Sequence, residues 1–208
     1  MAFIDFDVDM LRRYLEETEQ LLQEGKKREI FAYRERLQLE DKAHREAAEV
    51  DLQAIREHHD QFLRFQRYAF LMLTFTIFEA RAKQFCEYVR DHKKLSLNLC
   101  DLQGNLPEKL KLYLCRYARV LDERWQIWGD MRKLQLIRHQ IAHQGGNCSD
   151  EEAKKFKALA QNIPGLRLER DIEGFVIELN SGTCRYAVST IARFFEEAGR
   201  RAGFRSGG

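Results

Sequence analysis

Tyr68-Ala69-Phe70-Leu71-Met72-Leu73-Thr74-Phe75-Thr76-Ile77-Phe78 is the most apolar stretch of the chain, and its reading decides the fold. It falls well short of the roughly 18 apolar residues that suggest a membrane span, and arginines flank it. It therefore predicts a buried central helix, expected over Phe62 to Arg90, with Phe65, Ala69, Met72, Phe75 or Thr76, Glu79, Ala82 and Cys86 tracing one inward stripe. Glu79 is acidic on that otherwise apolar stripe. Burying it unpaired is costly, so a partner is expected: Arg138 or His143, or an ordinary structural ion pair with Arg81 or a distant lysine.

Working outward toward the N-terminus, Met10, Leu11, Tyr14, Leu15, Leu21 and Leu22 recur at helical spacing and predict a first amphipathic helix between Asp9, as N-cap, and Gly25. From Lys26 to Gln103 there is neither Gly nor Pro. One helix of that length would outrun a domain, so a break is expected between Leu39 and Glu46 or near His58 to Gln61. Residues 1–60 are read as a helical extension, 61–203 as the helical domain, and 204–208 (FRSGG) as a flexible tail.

Toward the C-terminus, Leu95 to Gly104 reads as a loop. Asn105 with Pro107 starts a helix expected to run to about Leu121. The next helix is expected from about Arg124 to Gln144, stopped by Gly145. Ser149 and Glu152 form a capping-box pattern for a short helix reaching about Asn162. Leu166, Leu168, Arg170 and Ile172, then Phe175, Ile177 and Leu179, alternate around Gly174 as a two-stranded hairpin, and a last helix is expected from Thr183 to about Arg200. The class is mostly α: an antiparallel helical bundle with a long N-terminal helical extension and a small C-terminal β-hairpin before the last helix.

Composition agrees with that class. Of 208 residues, 44% are hydrophobic and 33% charged, and 2 prolines interrupt the chain. A formal net charge of +2 gives no global field for nucleic acid, so any RNA contact must come from a local basic surface. The 5 cysteines are widely spaced without a CxxC pair, which predicts reduced thiols and a cytoplasmic protein. The acidic start MAFIDFDVDM lacks the features of a secretory leader.

Chemistry concentrates in Arg138-His139-Gln140-Ile141-Ala142-His143, closed by Gly145 and Gly146. Histidine, with an unperturbed pKa of about 6.5, exchanges protons near neutrality, and arginine offers a permanent forked cation to phosphate oxygens. This segment resembles the Arg-x4-6-His signature of HEPN-domain proteins, many of which are RNA-cleaving toxins or defence factors. The likeness covers roughly Gln61 to Arg200. It implies an endoribonuclease that works without metal or cofactor through the ribose 2′-hydroxyl, with Arg138 and His143 catalytic. His139 is then expected to orient the RNA or the catalytic histidine, or simply to be a solvated helix residue. The likeness also makes Glu79 an accessory acid, and Arg132 and Lys133 substrate contacts or a solvated helix face. It further implies a homodimer with the motif helices at its interface, acting as toxin or effector in a defence or toxin–antitoxin system and restrained or activated by a protein partner. The competing reading is a catalytically silent HEPN-like scaffold that binds RNA or a protein through the N-terminal helices.

Other chemistries fit less well. His139 and His143 have zincin-like spacing, but Gln140 stands where HExxH needs glutamate as general base. Cys148 could add a third zinc ligand, with no fourth evident. Trp125 and Trp128 could stack bases, although their spacing favours packing. His44, His58, His59 and His92 lie in charged stretches and are expected to face water, and Cys86 and Cys115 to fill core.

Overall fold

Two long helices open the chain, α1 (Ala2–Gln38) and α2 (Lys42–Lys93), in a computed structural model that describes residues 2–38, 42–172 and 174–203. The first expected break site is where the helices part, with residues 39–41 outside the description; the second is not used, because α2 runs unbroken through His58 to Gln61 and past residue 60. The helix predicted to end at Gly25 continues to Gln38. Glycine inside a helix costs about 1 kcal/mol relative to alanine, and here antiparallel contacts with α2 span the site and favour its continuation. Glu19 meets Arg67 at 2.7 Å, Lys26 meets Asp60 at 2.5 Å, Glu29 meets His59 at 2.7 Å and Tyr33 donates to Asp51 at 2.9 Å.

The N-terminal half of α1 belongs to the body of the protein. Val8, Leu11 and Leu15 are buried with Phe70, Cys184 and Val188 in a small apolar cluster, and Arg81 binds the buried Asp7 through two guanidinium nitrogens. That pairing takes Arg81 away from Glu79.

The predicted central helix is correct in place, and its expected stripe is buried at Phe75, Ala82 and Cys86 but not at Phe65 or Ala69. Tyr68, Leu71, Phe75, Phe78, Ala82, Phe85, Cys86 and Val89 line the main core, while Phe65 is 57% exposed and Ala69 faces solvent. A segment apolar nearly all round satisfies helical periodicity on more than one face, and the packed neighbours choose between them. Here the choice is made by the last helix, α6 (Ser181–Arg201), whose Phe194 and Phe195 meet Phe78 edge-on and tilted, with centroids 5.5 and 5.8 Å apart. Each such aromatic pair adds about 0.5–1.5 kcal/mol beyond area burial.

Asn105 caps α3 (Leu106–Leu112) by accepting from the Glu108 amide at 3.1 Å. The helix stops short of Leu121 because the chain widens into a π-turn over Tyr113–Tyr117, after which the amides of Val120 and Leu121 return to the Leu114 carbonyl. Both side chains thereby enter the core. Then come α4 (Ile127–Gln144), strand β1 (Asn147–Cys148), α5 (Asp150–Ala160), and the hairpin β2 (Leu166–Asp171) and β3 (Gly174–Leu179). The expected two-stranded hairpin gains a third strand: the order is β1-β3-β2, all antiparallel, with Asn147 opposite Val176 and Leu166 opposite Leu179. Two residues of β1 carry no period for sequence to reveal. The expected tail at 204–208 lies outside the described residues. Among those described, no helix is long and apolar enough to cross a membrane.

Gly146 lies where three elements meet. It has φ +89°, and a Cβ there would run into the hydroxyl of Tyr68, with Cζ at 2.8 Å. Gly145 also has positive φ, +62°, but open space around it. Gly145→Ala is therefore expected to lose only the left-handed backbone cost of about 1–2 kcal/mol. Gly146→Ala is expected to lose more, with a fall in Tm of about 2–4 °C per kcal/mol. Thermal unfolding of both variants checks the order.

Candidate functional site

The Arg138–His143 segment fills the last turns of α4. Ile137 and Ile141 point into the core and hold the helix down, which leaves Arg138 half-buried and His139 and His143 at the surface. The helix ends as predicted: Gly145 adopts the left-handed conformation and its amide donates to the Ile141 carbonyl at 3.1 Å, while the Gly146 amide reaches the Gln140 carbonyl at 3.3 Å. The chain then enters the sheet directly, since the Ile177 amide donates to the Gly146 carbonyl at 2.9 Å. A mobile helix end would blur any catalytic geometry; this one is tied to the sheet within one residue of its cap.

Gln140 completes the anchor and was not foreseen as a structural residue. It is buried, and its side-chain amide donates to the Asn147 carbonyl at 2.5 Å and to Glu152 at 3.3 Å. Glu152 also accepts from the Ser149 amide and hydroxyl, each at 2.9 Å. These bonds hold its carboxyl below the usual carboxylate range, led by the Ser149 backbone and then its hydroxyl, with Gln140 contributing less. The predicted capping box thus also receives the motif helix.

The motif side chains themselves are disposed as follows. His139 and His143 are both exposed, with ring centroids 4.3 Å apart on successive turns. Arg138 is half-buried. Its Nε is enclosed without a hydrogen-bond partner, and among the described residues no carboxylate pairs with its guanidinium. By contrast Arg64, Arg67, Arg81 and Arg116 each hold an acid. Five residues along a regular helix place Arg138 and His143 some 140° apart by about 100° per residue, and no hydrogen bond joins them. Cavities of about 430 and 500 Å³ lie elsewhere, one lined by Cys86, Arg90, Cys100 and Tyr113, the other by Arg64, Arg67, Glu169 and Glu178.

The other site residues are less closely gathered. Glu79 is half-buried and makes no hydrogen bond or ion pair among the described residues, so the structure joins it to none of Arg138, His143 and Arg81. Arg132 is exposed. Lys133 is partly neutralised by the buried Asp130 at 3.2 Å. Trp125 stacks on Phe194 at 6.2 Å and Trp128 meets the same ring edge-on at 5.6 Å, so both are spent on packing. Burial pushes the Cys148 thiol up to about 11, with Glu152 adding to the effect, and its Sγ faces the Gly146 carbonyl. A thiol so placed is a poor zinc ligand, since ligation needs the thiolate. Burial likewise pushes Cys86 up to about 12 and Cys115 up to about 11, which fits their reading as packing residues. His59 departs from its expected solvation by pairing with Glu29; His58 and His92 are exposed, and the side chain of His44 lies outside the description.

No family model, curated protein or solved structure matches this chain.

Gln140→Glu, the change that would write HExxH, is expected to be destabilising. The amide donates to both of its partners, whereas a carboxylate can only accept and would face the Asn147 carbonyl and Glu152. A buried polar group left unsatisfied costs about 1–3 kcal/mol, more when charged. Denaturant unfolding at neutral pH should show a loss on that scale, and the loss should shrink on acidification as the introduced carboxyl gains a proton and can donate again.

Proposed function

We propose that this chain is a HEPN-type endoribonuclease that cleaves RNA through the 2′-hydroxyl without a metal ion, as the toxin or effector of a cytoplasmic defence or toxin–antitoxin system. The observation that carries the reading is the state of the motif residues. Arg138 holds an unneutralised guanidinium with an enclosed, unpartnered Nε, and His143 presents an exposed imidazole on the same anchored helix end. A buried donor without a partner invites an anionic one.

Cleavage by this machinery needs a proton acceptor, a proton donor and a cation. His143 takes the proton of the ribose 2′-hydroxyl; the 2′-oxygen attacks phosphorus; the bond to the 5′-oxygen breaks and that oxygen is protonated, leaving a 2′,3′-cyclic phosphate. Arg138 neutralises the charge that builds on the phosphorane oxygens. DNA, lacking the 2′-hydroxyl, is not a substrate. His139 orients the RNA or its neighbour His143, and Arg132 offers a phosphate contact.

A helix end with its two key residues about 140° apart does not aim both at one phosphate by itself. We place the cleft between two copies related by a two-fold axis, so that each motif helix faces the other and Arg138 of one subunit acts beside His143 of its partner. α2, which packs against α4, exposes Phe62, Phe65 and Leu73, a patch such an interface can cover. The same apolar side chains, with Leu21, Phe31 and Val50 on the two-helix arm, favour a second reading in which the protein is a silent scaffold for a protein partner.

Activity separates the two. RNA cleavage should survive EDTA, and His143→Ala should lower it by about 10²- to 10⁴-fold, the scale of positioned proton transfer, while the thermal transition stays within about 1 kcal/mol of wild type. Equal growth arrest by wild type and variant at matched soluble levels would favour the scaffold. Heterodimers of Arg138→Ala and His143→Ala chains are expected to regain part of the activity that each homodimer lacks. Their failure to do so would mean that both residues of a working site sit on one chain or that both copies are needed.

A further inference from the structure

His139 and His143 are described above as an orienting and a reacting group, but their geometry supports something more. They sit at i and i+4 on a single face, with ring centroids 4.3 Å apart and both rings open to solvent. Neither imidazole makes a hydrogen bond or ion pair among the described residues, so their ring nitrogens are uncommitted. The helix that carries them is pinned beneath by Ile137, Gln140 and Ile141, which fixes both Cα positions before any ion arrives.

We propose that His139 and His143 form a two-imidazole chelate for a borderline divalent transition metal such as Ni²⁺ or Zn²⁺, and that occupancy of this site shuts down the motif. Two nitrogens that must each lie about 2.0–2.1 Å from one ion can come from imidazoles on adjacent turns of a rigid helix, the spacing that zinc-binding helices use. Imidazole suits nickel, copper and zinc, whereas magnesium and calcium demand oxygen ligands, so the site discriminates by ligand type. Among the described residues no third histidine, cysteine, aspartate or glutamate joins the pair. Water fills the remaining positions, and the ion has no protein carboxylate to act as base. A metal here therefore blocks: it occupies the lone pair that His143 needs to accept a proton, and it adds positive charge beside Arg138 without completing a hydrolytic centre.

The inhibitory half of the proposal rests on the ribonuclease reading; the binding half does not. Calorimetric titration of the metal-free full chain with Ni²⁺ is expected to show one ion per chain at this site. His139→Ala and His143→Ala should each weaken that binding by about tenfold or more, at least the lower end of what outer-shell changes alone cost. His58→Ala should leave it unchanged, because His58 lies on the arm, away from the motif. Mg²⁺ should give no heat at the same concentrations. Binding that survives both motif substitutions, or that is lost in His58→Ala, would overturn the site. In cleavage assays, Ni²⁺ at the occupancy seen by calorimetry should abolish activity, and EDTA should restore it. Intact binding in a chain that cleaves no RNA would retain the chelate and remove the ribonuclease reading, whereas cleavage undiminished at full occupancy would overturn the inhibitory role.

Discussion

The hydroxyl of Tyr68 donates to the carbonyl of Ile177 against the bare Cα of Gly146, and the junction of the central helix, the sheet and the end of α4 depends on that contact. It joins the central helix, the middle strand of the sheet and the residue that follows the motif helix. Tyr68 is enclosed, and burial raises its phenol well above the ordinary range, with nearby Glu178 adding to the effect, so it stays a neutral donor. A phenylalanine would leave the carbonyl unpaired there; any side chain at residue 146 would push the ring out.

From that junction two systems run in different directions. One is apolar: Phe78, Phe85, Trp125, Trp128, Phe194 and Phe195 interlock between the central and last helices and hold the beginning of the motif helix. The other is polar: Gln140, Asn147, Ser149 and Glu152 hold its end through the cap of the next helix. The motif helix is thus fixed at both ends by different forces, and the polar end can be weakened without loosening the core. This arrangement leaves the outer face of the last turns free to carry His139 and His143 without a structural duty.

The long α1–α2 pair is built differently. Beyond about Arg67 toward the N-terminus of α2, cross-helix contacts are mainly charged: Lys26 with Asp60, Glu29 with His59 and Tyr33 with Asp51, with Leu52 buried among the described side chains. Exposed pairs of this kind contribute about 0–1 kcal/mol each and weaken with salt. The arm is therefore the least cohesive part of the helical framework, while its exposed Phe31 and Val50 give it surface for contact.

Sequence by itself determined the features that depend on local chemistry. Asn105 and Ser149 were legible as helix starts because their side chains cap amides three residues away, and Gly145 as a helix stop because it alone meets the left-handed backbone cheaply. The hairpin around Gly174 followed from alternation, and the place of Arg138 and His143 on the last turns of a helix from the glycine stop that follows them. Tertiary structure decided what periodicity leaves degenerate. The central helix is apolar on several faces, so only the aromatic rings of the last helix and the small cluster on α1 settled that Tyr68, Leu71 and Phe75 turn inward while Phe65 and Ala69 do not. Gly25 stayed helical because cross-helix contacts outweighed its local cost, and Asn147–Cys148 became a strand because Val176 and Phe175 offered an open edge. Local rules act over three or four residues of one chain segment; which face is buried, and which edge is paired, is set by segments far away in sequence that must first be brought alongside.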